Sequence, residues 1–347
     1  MKKIARITAI SIFAISIFSV SLFTQDNEEN KKLAQAGFHF LNVTSDARAS
    51  AMGEAVTSVK MGSTSLFFNP ATMANFDGMI RFSTSNNKWI ADIKHYTADL
   101  AIRLFDGNYG VIGFSLQYVD YGNFIRTYVK SNEKGYEDAG IYKLYASAIG
   151  IGYAKQLTDK FSIGAQLRWA KQDLGESRIP NPEPVVVDSM GNFSDTAKMV
   201  SNKTIPLVID FGTYFRTGIK SLVFGVSIRN FSGEYKYAYE SFQLPMTVSI
   251  GISMNLMDLL EKAEPKQSLL VSIDASHYRD HPEQLRIGVE YEVLKTLYLR
   301  IGYVTGGDGN DWSYGIGISK FGFAFDYAYT PYKFFSNVQR FTVRFYM

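Results

Sequence analysis

The sequence predicts an all-β protein: an antiparallel transmembrane β-barrel of the outer-membrane kind, about fourteen-stranded, with a short helical N-terminal plug. Three observations predict it. The 347 residues include 22 Tyr, 26 Phe and 28 Gly with only 20% charged residues, yet the mean hydropathy is −0.07. That average is too polar for a bundle of membrane helices and is what alternating lipid-facing and lumen-facing strand positions produce. From Ile80 onward no long amphipathic helix pattern occurs, and about fourteen runs read as strands. Connections between these runs alternate between short and long, as a meander through a membrane requires.

The leader comes first. Lys2, Lys3 and Arg6 precede an uncharged run from Ile7 to Thr24, and the polar Asp26-Asn27-Glu28-Glu29-Asn30 follows. This is the order of parts in a secretory signal peptide, expected over residues 1–25, with cleavage after either Ser19-Val20-Ser21 or Gln25. An uncleaved anchor helix is the alternative, although the run is short for a span. Without the three leading cations the 36 basic residues fall to 33, equal to the 33 acidic ones. The mature chain is then near neutral, so its pI near 8.7 implies no nucleic-acid partner. Cysteine is absent, which excludes disulfides, thiolate metal sites and cysteine nucleophiles.

Residues 26–78 form the expected plug segment, and 79–347 the barrel. Ala47, Ala49, Ala51, Gly53 and Ala55 allow close backbone approach, and the run after Asp46 reads as a short helix with Asp46 as N-cap. A second turn from Ser63 to Phe68 is expected to end at Asn69-Pro70. The pieces Phe40-Leu41, Ala47-Arg48-Ala49, Ala51-Met52-Gly53-Glu54-Ala55 and Asn69-Pro70-Ala71 stand in order before a β-rich chain. In this the stretch resembles the N-terminal signature of the PorV/PorQ family of outer-membrane proteins, related to the FadL-type fatty-acid channels. It departs at Glu54, where many relatives have a second glycine, and at Thr72-Met73-Ala74, where many look like Gly-Leu-Ala. The resemblance implies a plug or gating set of Arg48, Met52, Gly53, Asn69, Pro70 and Ala71. For Asn69, Pro70 and Ala71 the other reading is a tight turn that anchors the segment. Arg48, enclosed by a barrel, needs a carboxylate such as Asp274, Glu290 or Asp326.

The strands alternate clearly. Phe161, Ile163, Ala165, Leu167 and Trp169 share one face, with Ser162, Gly164, Gln166, Arg168 and Ala170 on the other; Leu285 to Val293 and Phe321 to Tyr329 repeat the pattern. Arg168, Asp210, Arg229, Asp274, Arg286, Glu290, Arg300 and Asp326 fall on polar faces, which in a membrane barrel line the lumen. Short turns are expected at Asp106-Gly107-Asn108, Thr158-Asp159, Thr217-Gly218, Leu294-Lys295 and Lys320 to Gly322. Long loops are expected from Asp120 to Ile141 and from Asp173 to Lys203. A longer connection on the short-turn side, Met257 to Lys266, leaves room for a helical turn from Asp258 to Lys262. Aromatics near strand ends, among them Trp89, Tyr118, Trp312, Tyr332 and Phe335, suit interface girdles. An even strand number places plug and C-terminus together on the periplasmic side.

Chemistry-bearing constellations are few. Asp274, His277, Asp280 and His281 could activate a water at a strand end, against a plain reading as solvated loop residues. The oxygens of Gly306 to Asp311 could ligate calcium, against a hairpin turn. Pro180, Pro182 and Pro184, running into Val185 and Val186, make a stiff apolar segment that is a candidate partner-binding loop. No nucleotide, dinucleotide or metalloprotease motif occurs. No cofactor and no catalysis are expected.

By resemblance, the function implied is that of an integral outer-membrane component of type IX secretion. Such a component recognises secreted cargo with a C-terminal sorting domain and works with other secretion subunits amid outer-membrane lipid. The alternative is a FadL-like channel for hydrophobic small molecules, with an apolar pocket drawn from Phe231, Tyr235, Tyr237, Tyr239 and Phe242 and a plug that moves.

Overall fold

The computed structural model describes residues 36–129, 133–179, 198–237, 241–260, 267–306 and 311–347. The leader, Pro180, Pro182, Pro184, Val185, Val186 and Tyr239 lie outside them. In chain order the strands are β1 (Ile80–Lys88), β2 (Lys94–Arg103), β3 (Val111–Val129), β4 (Tyr136–Gln156), β5 (Phe161–Ile179) and β6 (Lys198–Thr204). They continue as β7 (Leu207–Arg216), β8 (Val223–Phe231), β9 (Tyr235–Lys236), β10 (Ser241–Phe242), β11 (Thr247–Asn255) and β12 (Gln267–Tyr278). The last five are β13 (Gln284–Val293), β14 (Leu297–Val304), β15 (Trp312–Lys320), β16 (Phe323–Thr330) and β17 (Val338–Tyr346).

Among the described residues all but β6, β9 and β10 form one antiparallel ring of fourteen strands, closed where β1 pairs with both β2 and β17. Closure leaves no unpaired edge, and in lipid every backbone donor and acceptor has to be met within the sheet. The polarity is inverted relative to a soluble protein. On β5, Leu167 and Trp169 are 41% and 50% exposed, whereas Gln166 and Arg168, which alternate with them, are buried. Phe211 on β7, Ile250 on β11, Ile316 on β15 and Phe341 on β17 continue the outer apolar band, and the charged residues named above face inward.

Connections sort to two ends, a turn end and a loop end. The segment from Asp120 to Ile141, expected as a long loop, is largely strand, and of the segment from Asp173 to Lys203 the described residues, 173–179 and 198–203, lie in β5 and β6; β3, β4 and β5 hold 19, 21 and 19 residues. At about 3.3 Å per residue β4 spans ~70 Å, more than twice a hydrocarbon core of roughly 30 Å. These strands therefore rise beyond the loop end as a fin. Above Tyr145/Asp173, where β4 and β5 part, it consists of two ribbons: β3 with β4, paired across register shifts at Asp120/Asn123 and Ile125/Thr127, and β5 with β6. Between β6 and β7 lies Pro206, which has no N–H to offer a ladder. The turn expected from Asp258 to Lys262 is instead a 3-10 turn at Leu256–Leu259, and residues 261–266 lie outside the described set.

The plug segment differs from expectation in its path. Its first described residue, Ala36, bridges Gln243 at the loop end, and the chain descends through the lumen to Phe76, whose carbonyl accepts from Arg103 at the turn end (3.3 Å). Only the exit into β1 and the C-terminal Met347 share the turn end, where Met79 N donates to Met347 O (2.7 Å).

Candidate functional site

The plug is built from short turns because its residues are small and its polar caps are local. Helix α1 (Ala47–Ala51) is capped by Asp46, whose Oδ1 accepts from Ala49 N at 2.8 Å. After α1 the chain turns on two consecutive left-handed residues, Gly53 (φ 61°) and Glu54 (φ 61°). The sequence places a stop at Asn69-Pro70, but there a new 3-10 turn starts, Pro70–Asn75. Proline is accommodated as its first residue because no N–H is needed there. Asn69 uses its whole amide: Oδ1 accepts from Ala71 N (3.1 Å), and Nδ2 donates to Thr57 O (2.7 Å) and Thr213 O (2.9 Å). It thus fastens two halves of the plug to each other and to β7.

One flank of the plug is held by charge. Arg48 grips Glu290 through Nε and Nη2, both at 2.7 Å, so of the three carboxylates weighed from sequence Glu290 is its partner. Glu290 also accepts from Arg300 Nε (2.6 Å), and Arg300 Nη1 donates to Asp326 (2.5 Å). Asp326 pairs with Arg344, and Arg344 with Asp46. Three cations and three anions thus run from α1 through β13, β14, β16 and β17 and return to the cap of α1. Each inner charge of this chain has two neighbours of opposite sign, and its ends, Arg48 and Asp46, each add a hydrogen bond to backbone, at Lys60 O and Ala49 N, the condition under which buried ions are tolerable. The third carboxylate, Asp274, instead accepts from Thr57 N at 2.8 Å.

On both flanks the plug also rests on bare backbone, at Gly288 of β13 and Gly302 of β14 beside the charges and at Gly164 of β5 and Gly212 of β7 opposite them. A Cβ on Gly288 would lie 2.6 Å from Met52 O, and one on Gly302 would overlap Gly53 N. A Cβ on Gly164 would lie 2.5 Å from the Pro70 carbonyl carbon, and one on Gly212 would overlap Asn69 Oδ1. Met52, Gly53, Asn69 and Pro70 therefore rest on wall positions where only glycine leaves room, and Ala71 is wholly buried beside Tyr214 and Val223. The signal for this was present in the sequence as glycines on polar strand faces, but which plug residue meets which glycine was not.

At the loop end, Phe38 lies in the left-handed region (φ 59°), is 1% exposed, and stacks on Phe242 (6.0 Å) and Tyr237 (6.4 Å). Of the aromatics proposed for an apolar pocket, Tyr235, Tyr237 and Phe242 do cluster, but the chain's own Phe38 fills the space between them. Phe231 points outward, 53% exposed. The open volume lies alongside: a cavity of about 440 Å³ whose walls include Trp89, Tyr278, Tyr332 and Phe335 and whose floor includes Glu54 and Arg286. A latch crosses its edge. The buried Asp280 carboxylate meets His281 Nδ1 at 2.8 Å and, from the plug, His39 Nδ1 at 3.2 Å. At the turn end a second cavity, about 610 Å³, is bordered by Lys60, Lys160, Arg216 and Lys220 with Asp159 as a lone acid among its described lining residues.

The constellation around His277 is not assembled. Asp274 points into the lumen, Asp280 serves the latch, and His277 pairs with Glu283 (3.0 Å) where both are largely exposed. The loop weighed for calcium lies mostly outside the described residues; its Asp311 meets Lys333 Nζ at 3.0 Å. Among the described residues no cluster of three or more metal-ligating side chains occurs.

No known family profile matches the sequence, and no curated protein matches it. Solved structures do match in fold. The toluene transporter TbuX of Ralstonia pickettii superposes with a TM-score of 0.57 at 12% identity, over 90% of this chain and 99% of that one. The toluene transporter TodX of Pseudomonas putida gives 0.55 at 13%, over 91% and 98%. A FadL homologue of Pseudomonas aeruginosa gives 0.50 at 14%, over 87% and 98%. At such identities the likeness is one of fold, and the fold of this chain is that of the FadL-like outer-membrane barrels.

Proposed function

We propose that this protein is an integral outer-membrane channel that admits hydrophobic small molecules at its loop end and passes them beside a plug that yields, with no catalytic step. The observation that carries this reading is the cavity of about 440 Å³ lined by Trp89, Tyr278, Tyr332 and Phe335 together with His39, Thr44 and Glu54 of the plug: occupancy there touches the element that closes the lumen. Wall side chains such as Trp89 and Phe335 supply apolar contact with a polar floor, the usual makeup of a small-molecule site. The fold likeness to two toluene transporters supports the same class of cargo. Asn69, Pro70 and Ala71 are then the hinge side of the closure, and Arg48, Met52 and Gly53 the side that lets go. Uptake of radiolabelled toluene by cells producing the protein tests this. Uptake above an empty-vector control, reduced in Trp89→Ala, is the expected result, and uptake equal to the control rejects it.

A second reading keeps the PorV/PorQ-like role: recognition of secreted cargo with a C-terminal sorting domain, together with type IX secretion subunits, at the loop-end rim. Two observations favour it. The plug is seated on the wall throughout, as a lumen that stays closed requires, and the fin carries the paired Ile125 and Ile141, 71% and 72% exposed, above the membrane band. Photocrosslinking from position 125 in native membranes, followed by mass spectrometry, would capture such cargo; recovery of lipid alone rejects this reading.

A further inference from the structure

The turn-end cavity carries a charge pattern that passage of a hydrocarbon does not use. Its cations come from four places in the chain: Lys60 from the plug, Lys160 from the turn between β4 and β5, Arg216 from the end of β7, and Lys220 from the turn between β7 and β8. The three lysines are exposed and Arg216 is partly so. None of the four forms an ion pair among the described residues, unlike Arg48 on the same lining, which grips Glu290.

Tertiary contacts hold these charges together. Arg216 N donates to Lys160 O at 2.7 Å, which joins the two turns, and Lys160 Nζ lies 2.9 Å from where a Cβ on Gly218 would stand. Across the cavity the charges of Lys60 and Arg216 oppose each other: burial first, and the Arg216 charge second, hold the Lys60 ammonium below the ordinary lysine range, with Asp77 acting against them. Like charges on plug and wall repel, so an anion between them turns a repulsion into two attractions.

The cavity is amphipathic and lies in the lumen. Tyr214 and Val223 on its lining are 3% and 9% exposed, whereas Phe215 and Phe224, which alternate with them, are 43% and 41% exposed on the lipid side. Val59 of the plug packs in a cluster with Leu270 of β12 and, with Leu222, backs the cations with apolar surface. The volume of about 610 Å³ is that of a small-molecule site. A carboxylate has two oxygens and one charge, too few for four cations on separate elements. A phosphomonoester has three terminal oxygens and a charge near −2 above a second pKa of about 6, and lysine binds phosphate as a point charge.

We propose that the turn-end cavity binds water-soluble phosphomonoesters with an apolar substituent, and that the occupant ties the plug to the wall by standing between Lys60 on one side and Lys160, Arg216 and Lys220 on the other. This goes beyond the channel reading and does not rest on it.

The probe is phenyl phosphate, titrated calorimetrically at about pH 8, where it is doubly charged, into the purified full-length protein in phosphatidylcholine nanodiscs. It is expected to bind about tenfold more tightly than benzoate, for its second charge, and about fivefold more tightly than inorganic phosphate, for its ring. Lys60→Gln and Lys220→Gln should each weaken it about tenfold and the double variant about a hundredfold, and added salt should weaken it in the unmodified protein because these cations are exposed. At ten times its Kd the ester should slow chymotryptic cleavage of the plug at Phe67 and Phe68 about tenfold. Lys60→Gln relieves a repulsion, so without ligand it should be cleaved no faster than the unmodified protein, which separates lost binding from lost folding. Benzoate binding as well as phenyl phosphate, affinity that survives the double variant, or cleavage unchanged at saturation overturns the proposal. Affinity should be the same in nanodiscs containing phosphatidic acid; its loss there gives the site to a lipid headgroup and overturns the assignment to a soluble ester.

Discussion

Both flanks of the plug rest on glycine, but one of them adds a chain of buried charges. Toward β13, β14, β16 and β17 the attachment is a chain of six charges that begins and ends on α1 and its cap, added to glycine seats at Gly288 and Gly302. Toward β5 and β7 it is backbone resting on glycine, fastened by the Asn69 amide. A charge chain is intolerant of losing one member but indifferent to small changes of volume, and a glycine seat is the reverse. The comparison teaches that a plug can be tight on both sides and still have one side that releases as a unit, because removing a single ion leaves its neighbours in the chain without their partner.

The largest expected effect comes from breaking the charge chain. Glu290→Ala strands Arg48 and Arg300 together and should cost about 3–5 kcal/mol, read as plug release through raised conductance of single barrels in planar bilayers. Salt should not mimic it, because buried pairs are little screened. Next is the seat. Gly164→Val forces side-chain atoms into the Pro70 backbone and should destabilise the plug by about 1–3 kcal/mol or more, detected as new protease cleavage between 60 and 76. If Gly164→Val is silent while Glu290→Ala opens the barrel, the contact flank contributes little and the comparison fails. Asn69→Ala removes three hydrogen bonds and should cost about 2 kcal/mol, with cleavage at the same sites as Gly164→Val.

The smallest effect belongs to the latch at the loop end. Burial is the largest influence on Asp280 and pushes its carboxyl up, but the hydrogen bond from His281 and the charges of His281 and His39 together bring it below the ordinary carboxylate range. A depressed carboxylate contributes stability that is present above its ordinary pKa of 3.8 and is lost as the pH falls through the lower folded value. Holding of the Ala36 end should therefore weaken as the solution is taken into strong acid, where Asp280 becomes protonated. Hydrogen exchange at residues 36–42, compared with Asp280→Asn, checks the sign.

Much of this was legible in the chain. Alternation on β5, β13 and β16 gave strand identity and facing, since period two survives any tertiary context. The cap at Asp46 was local and therefore readable. The fin was not, because the turn-like Gly122 and Asp173-Leu174-Gly175 mark bulges within β3 and β5 that sequence cannot tell from loop starts. The Pro70 turn was missed for a similar reason: proline ends one turn and opens the next with the same φ. The dispersal of Asp274, His277 and Asp280 followed from strand parity and a loop that draws Asp280 toward His39.

By itself the sequence determined what each strand shows to lipid and to the lumen, and that the lumen would hold more charge than water alone could reach. Those properties are set by side-chain period and composition, which are local. Only the tertiary structure decided that Arg48 would choose Glu290, that glycines on separate strands would line up beneath Met52 and Pro70, and that Phe38 would fill its own aromatic pocket. It also decided that Glu54 and Arg286, 232 residues apart, would share a cavity floor. Such pairings depend on how closure staggers fourteen strands around the plug, and stagger is a property of the whole ring rather than of any segment in it.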